Sequence, residues 1–151
     1  MTPAHEEFCI GTYETEDEAA MIELWQACGL VVPWNNPHTD IARKTADSPE
    51  LFFSGKIDGR LVASCMAGYD GHRGWIYFLA VHPEYQKRGY AAKLIEHSED
   101  RLKALGCPKL ELMVRKSNQG VIDFYRATGF DLDPVVVLSK RLQSDEAHDF
   151  A

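Results

Sequence analysis

The stretch Leu79-Ala-Val-His-Pro-Glu-Tyr-Gln-Lys-Arg-Gly-Tyr-Ala-Ala-Lys-Leu-Ile95 decides how the chain is read. It opens as an apolar strand that ends near Val81. Pro83 stops that strand, because proline cannot donate to a ladder. A polar turn follows, Gln86-Lys87-Arg88-Gly89-Tyr90-Ala91. A helix then begins, with Ala91, Leu94, Ile95, Ser98, Leu102 and Leu105 at spacings that share one face. A strand that turns through glycine into a helix N-terminus presents unpaired N–H groups and the positive end of the helix dipole. Gly89 puts no Cβ between an anion and the backbone. Lys87, Arg88 and Lys93 add positive charge. The three-glycine dinucleotide fingerprint is absent, and so is the Gly-Lys-Ser/Thr of a Walker loop.

Outward from this stretch, the sequence orders itself into one unit. Residues 8–13 read as a first strand and residues 16–28 as a helix ended by Gly29. Residues 30–37 form an aromatic, proline-punctuated loop around Trp34 and Asn35, either a plug over the core or one wall of an acceptor pocket. A helix over residues 38–46 follows, with Asp40 near its start. Residues 51–57, 60–69 and 75–81 read as three consecutive antiparallel strands, joined by Asp58-Gly59 and by the turn 70–74. After the long helix, Gly106 and Pro108 bring the chain to a further strand at 109–115, in which Leu110, Leu112 and Val114 alternate with Glu111, Met113 and Arg115. A short helix at 119–128 and a last strand at 135–142 complete a mixed α/β (α+β) order with a largely antiparallel sheet.

Composition bounds the function. The chain has 151 residues, 45% hydrophobic and 26% charged, with a formal net charge of -7. One domain over residues 1–151 is expected, with a core at about 8–142 and a frayed tail at 143–151. The acidic balance argues against general nucleic-acid binding and suits a cationic acceptor such as an amine. Cys9, Cys28, Cys65 and Cys107 form no Cys-x-x-Cys pair, so no metal site is indicated and reduced core thiols are expected. No apolar run spans a membrane and no signal peptide is evident, so a cytoplasmic protein is expected.

Gln86-x-x-Gly89-x-Ala91 resembles the coenzyme A pyrophosphate loop of the Gcn5-related N-acetyltransferase (GNAT) superfamily, where the pattern is Gln/Arg-x-x-Gly-x-Gly/Ala. The second motif, Asn118, Phe124-Tyr125 and Gly129-Phe130, matches the same superfamily in kind and spacing. Stretches 34–37 and 68–74 are most similar to its small bacterial YpeA-type members. The resemblance covers nearly the whole chain. It implies a single, mixed, mostly antiparallel sheet of six to seven strands, with about four helices on both faces. The strands of Leu79 and Leu112 would splay apart between them. It implies acetyl-CoA as acyl donor and a primary amine as acceptor, on a small molecule or a protein, joined directly in a ternary complex. Dimers are common in the superfamily, so a homodimer is allowed.

The resemblance assigns coenzyme contacts to Leu79, Ala80, Val81, Gln86, Lys87, Arg88, Gly89, Tyr90, Ala91, Asn118 and Tyr125. Asn118 is also a natural helix N-cap. The Tyr125 hydroxyl would protonate the departing thiolate, a transfer that suits a phenol of pKa about 10 and a thiol near 8.5. An N–H of the Leu79–Val81 strand would polarise the acetyl carbonyl. Positions where many members carry a catalytic glutamate hold Trp75 and Met113. The proton acceptor is therefore left open among Glu111, Asp70 and His72, acting directly or through water. Trp34, Asn35, Trp75 and Tyr77 are candidates for the acceptor pocket. The missing glutamates leave one alternative, a module that binds coenzyme A without turning it over.

Overall fold

The computed structural model describes residues 7–145. Five strands and four α-helices follow one another along them: β1 (Phe8–Thr12), α1 (Glu18–Ala27), α2 (Pro37–Asp47), β2 (Phe52–Ile57), β3 (Arg60–Tyr69), β4 (Gly74–Val81), α3 (Tyr90–Ala104), β5 (Leu110–Glu111) and α4 (Gln119–Ala127). The strands form one sheet in the order β1-β2-β3-β4-β5. The pairs from β1 to β4 are antiparallel. Asp58 (φ 49°) and Gly59 (φ 79°) close the β2–β3 hairpin. Two successive positive φ values give the turn whose twist matches its strands. At the β3–β4 turn, the Asp70 carboxylate accepts the N–H groups of His72 at 2.8 Å and Arg73 at 2.7 Å. Helix α3 then carries the chain over the sheet to β5, which runs parallel to β4.

Strand alternation distributes two cores. Phe53, Ile57, Cys65, Ala67 and Ile76 pack with Tyr90, Leu94, Ile95 and Leu102 of α3 on one face. Phe52, Leu61, Met66 and Ala80 pack with Met21, Ile22, Leu24 and Trp25 of α1 and Ile41 of α2 on the other. Helix α2 starts one residue before the expected position: Asn36 caps it, accepting from the N–H groups of His38 and Thr39, and Pro37 fills its first turn.

Two features of the sheet differ from the sequence reading. β5 is two residues long rather than seven, and residues 135–142 form no strand, so the described sheet has five strands and not six or seven. Val136 is 85% exposed and Leu138 is 91% exposed, with no neighbouring strand to satisfy their backbone. Ties at and beyond its two ends hold this segment instead. The Val135 N–H turns back on to the Asp133 carbonyl at 2.9 Å. Lys109 pairs with Asp133 at 3.1 Å, and Arg43 pairs with Asp145 at 2.8 Å. The expected tail at 143–151 lies outside the described residues beyond Asp145.

β4 also carries an irregularity. Ser64 pairs with Ala80 and Met66 with Tyr77, so Cys65 on β3 faces both Phe78 and Leu79 on β4. This is a bulge, and Phe78 takes the left-handed φ of 51° within it.

Candidate active site

The last residues of β4 set the site. The His82 N–H donates to the Val62 carbonyl at 2.8 Å, and Ala80 pairs with Ser64. Backbone polar groups alternate along a strand, so the N–H groups of Leu79 and Val81 face the β5 side. β5 pairs with β4 only at Gly74–Leu110 and Trp75–Glu111. Leu79 and Val81 therefore lie past that pairing. The Val81 carbonyl accepts from Gln86 Nε2 at 3.0 Å and from Cys28 Sγ at 3.3 Å.

Beyond Val81 the chain makes a single turn at Pro83–Tyr85, capped by His82 Nδ1, which accepts the Glu84 N–H. Lys87 (φ 64°) and Gly89 (φ 83°) are both left-handed. Gly89 is the N-cap of α3 and offers no side chain to its first N–H groups. A Cβ at Gly89 would meet nothing within 4 Å, so the approach to those groups is open. The first turn of α3 holds no acidic residue. Arg88 lies over the Tyr85 ring at 5.1 Å and Lys93 over the Tyr90 ring at 5.8 Å. Helix N–H groups with no side-chain cap, a glycine and nearby cations are the chemistry a diphosphate requires, so these residues fit coenzyme A. Lys87 is exposed beside them, whereas Tyr90 is buried and Ala91 half-buried at the start of the helix.

Asn118 caps α4, its side chain accepting the Val121 N–H at 3.4 Å. Tyr125 is half-buried and packs on the same core as Leu79, Val81 and Leu112. Burial pushes its phenol up to about 12, with the Cys65 thiol adding to the shift. Its ring stands edge-on to Phe130 at 5.5 Å and to Phe124 at 5.3 Å.

The acceptor-side candidates fall into two groups. Asp70, His72, Trp75 and Glu111 gather where β4 and β5 pair. Trp75 Nε1 donates to Asp70 at 3.3 Å, and Glu111 opposite Trp75 forms an ion pair with Arg73 at 3.1 Å. Three N–H donors commit Asp70 to its turn, and those to its backbone neighbours hold its carboxyl below the ordinary range. His72 is exposed. Trp34 is apart from this group, on the loop before α2, and the Arg115 guanidinium lies over its ring at 5.9 Å. Asn35 neighbours the cap residue Asn36, and Tyr77 is 46% exposed on β4.

With this geometry in view, the profile of the Acetyltransferase (GNAT) family matches residues 12–130. The chain belongs to that family. It is an acyltransferase with close bacterial relatives: an acetyltransferase of Yersinia pestis (strain Pestoides F) is 44% identical over 139 residues, which span 92% of this chain and 99% of that protein. Among solved structures, the ribosomal-protein-S18-alanine N-acetyltransferase of Escherichia coli superposes with a TM-score of 0.70 at 27% identity, covering 83% of this chain and 78% of that one. An aminoglycoside N-acetyltransferase in complex with coenzyme A superposes with a TM-score of 0.73 at 16% identity, covering 95% of this chain and all of the other (100%). That last likeness is one of fold.

In this GNAT chain the sequence reading passed over two participants. Arg73 closes on Glu111 from across the β4–β5 junction, a non-local pairing that carries no sequence signal. Arg115 was read only as one side of an alternating strand, yet it reaches Trp34 on a loop far away in the chain. The described residues include no helix long and apolar enough to cross a membrane.

Proposed function

We propose that the protein transfers an acetyl group from acetyl-CoA directly to a primary amine. The observation that carries this reading is the end of β4. Its Leu79 and Val81 amides lie beyond the last β4–β5 pair, and the chain then turns straight into the uncapped N-terminus of α3. A short β5 is what a splay between the two strands needs. The N–H groups from Arg88 to Ala91 would bind the diphosphate, with Lys87, Arg88 and Lys93 supporting its charge. The arm would lie along Leu79–Val81 as a neighbouring strand, and Asn118 would contact it from α4.

The chemistry then falls to three groups. The Leu79 N–H donates to the acetyl carbonyl, where negative charge develops. Tyr125 holds its proton until the thiolate departs and gives it there. Glu111 takes the proton of the amine through a chain of several waters, because one water is too short for the span. Its ladder partner Trp75 is four residues from Leu79, or about 13 Å along a strand, which is too far for direct contact. Trp75 and Tyr77, at alternate positions of β4, would line the mouth through which the amine enters. No covalent acyl-enzyme is required, so the buried Cys65, pushed up to about 11 by burial, has no nucleophilic part.

The test is thiol release from acetyl-CoA over a panel of amino acids, polyamines, aminoglycosides and peptides with free N-termini. Turnover on at least one amine is expected. Tight coenzyme binding by calorimetry without turnover on any amine would sink the transferase reading and leave a binding module.

A further inference from the structure

The bulge in β4 contains the one peptide on which the proposed chemistry depends most, and the sheet alone does not hold it. Phe78 has a φ of 51°, in a region that a bulky residue without compensation avoids. Its carbonyl has left the β3 ladder and accepts a hydrogen bond from Ser64 Oγ at 2.7 Å. Ser64 Oγ in turn accepts from Trp25 Nε1 at 3.0 Å. Both Ser64 and Trp25 are 0% exposed. The Trp25 ring also stacks on the Phe78 ring, with centroids 4.0 Å apart and planes 19° apart. Helix α1 and strand β3 thus grip residue 78 twice, at its side chain and at its carbonyl.

The consequence follows from the peptide bond. The unit joining Phe78 to Leu79 is trans and planar, so its C=O and N–H point in opposite directions. Fixing the Phe78 carbonyl toward Ser64 therefore fixes the Leu79 N–H away from it. We propose that Ser64 and Trp25 are positioning residues: their hydrogen-bond chain sets the Phe78–Leu79 peptide so that the Leu79 N–H faces the acyl carbonyl. The proposal rests on the acetyl-transfer reading above. It explains why a polar serine sits fully buried in the apolar run of β3, where an unpartnered hydroxyl would be costly. Without Ser64, the strained residue has an orphaned carbonyl and every reason to relax toward ordinary strand geometry, swinging the N–H with it.

The experiment compares the full-length parent with Ser64→Ala and Trp25→Phe. Three quantities are read: kcat with acetyl-CoA on the best amine of the parent, coenzyme A affinity by calorimetry, and the backbone carbon shifts of Phe78 by NMR. Ser64→Ala is expected to lose about 10- to 10²-fold in kcat, short of or equal to the loss of a whole oxyanion donor. Its coenzyme affinity should stay within about 3-fold, since the loop at Gly89 is untouched. The Phe78 shifts should leave the left-handed range. Trp25→Phe keeps the ring stack and the Ser64–Phe78 bond, so a smaller loss of about 3- to 10-fold is expected; it carries the test alone if Ser64→Ala does not fold. An unchanged kcat in the folded variant, or left-handed Phe78 shifts without Ser64, overturns the positioning role. A parent that turns over no amine overturns the transfer reading and the catalytic half of the proposal. The Phe78 shifts still decide whether Ser64 holds the peptide.

Discussion

Helices α3 and α4 both begin beside the proposed coenzyme path, and they are built in opposite ways. α3 buries Tyr90, Leu94, Ile95, Ser98 and Leu102 against the sheet, and α4 buries no residue. α3 starts at a glycine with no cap, whereas α4 starts at Asn118, whose side chain closes its first turn. Packing holds α3 so firmly that its end can dispense with a cap and leave N–H groups for a ligand. α4 depends on local bonds: the Tyr125 carbonyl accepts from the Phe130 N–H at 3.1 Å and from Thr128 Oγ1 at 2.8 Å. The proposed donor site is thus preformed in the sheet half of the molecule. The proposed acid rides on a lightly anchored segment that ligand contacts can adjust.

The largest expected break of this contrast is at Gly89. Gly89→Glu puts a carboxylate at the open helix end and a side chain on a left-handed residue. Coenzyme affinity should fall by about 10³-fold or more, measured by calorimetry, and unchanged affinity removes the diphosphate assignment. Next comes Tyr125→Phe, which should slow turnover by about 10²-fold while sparing that affinity. A mutant as fast as the parent shows that Tyr125 is not the acid.

Alkaline titration probes the buried side of the same region. Cys65 is pushed up to about 11 and Tyr125 up to about 12, both chiefly by burial. Raised values mean that the folded state holds these protons more tightly than the unfolded chain. The stability they contribute is complete below pH about 9. It is lost as pH rises through about 11 for the thiol and about 12 for the phenol. For Cys65 the loss amounts to about 3 kcal/mol. Denaturant midpoints of the parent and of Cys65→Ala between pH 8 and 11 should therefore converge; parallel curves would refute it.

The smallest effects should have opposite signs in the two halves. At Gly74 an added Cβ would lie 2.8 Å from Cys107 Sγ and 3.1 Å from Leu102 Cδ1, so Gly74→Ala should cost about 1–3 kcal/mol. At Gly120, inside α4, a Cβ meets nothing within 4 Å, so Gly120→Ala should stabilise by about 0.5–1 kcal/mol. Chemical denaturation reads both, and equal signs would erase the distinction between a tight half and a loose one.

The tight half was also the legible half. Gly89 and the Asp58-Gly59 pair announce backbone conformations that few other residues adopt, and the alternation in 51–81 has real neighbours to pair with. The loose half misled for the same reason reversed. Val135 to Leu138 is an apolar run with strand character, but composition cannot say whether another strand lies alongside to complete the ladder, and none does among the described residues. Leu110 to Val114 alternates correctly, yet its pairing with β4 stops at Trp75–Glu111, three residues before the bulge at Phe78. Of the site, the loop and Asn118 could be read from local chemistry. The bulge could not, because Phe78 is not the residue one expects at positive φ, and its support comes from Trp25 and Ser64, distant in sequence. A serine within Leu61–Ala67 was the one visible sign.

Gln86 has a consequence of its own. Its amide and the Cys28 thiol together satisfy the Val81 oxygen before anything arrives. An incoming amide at that oxygen must trade places with them instead of answering an unmet demand. Exchanging one hydrogen bond for another is close to even in energy, so in the proposed complex Val81 would align the guest far more than tighten its hold.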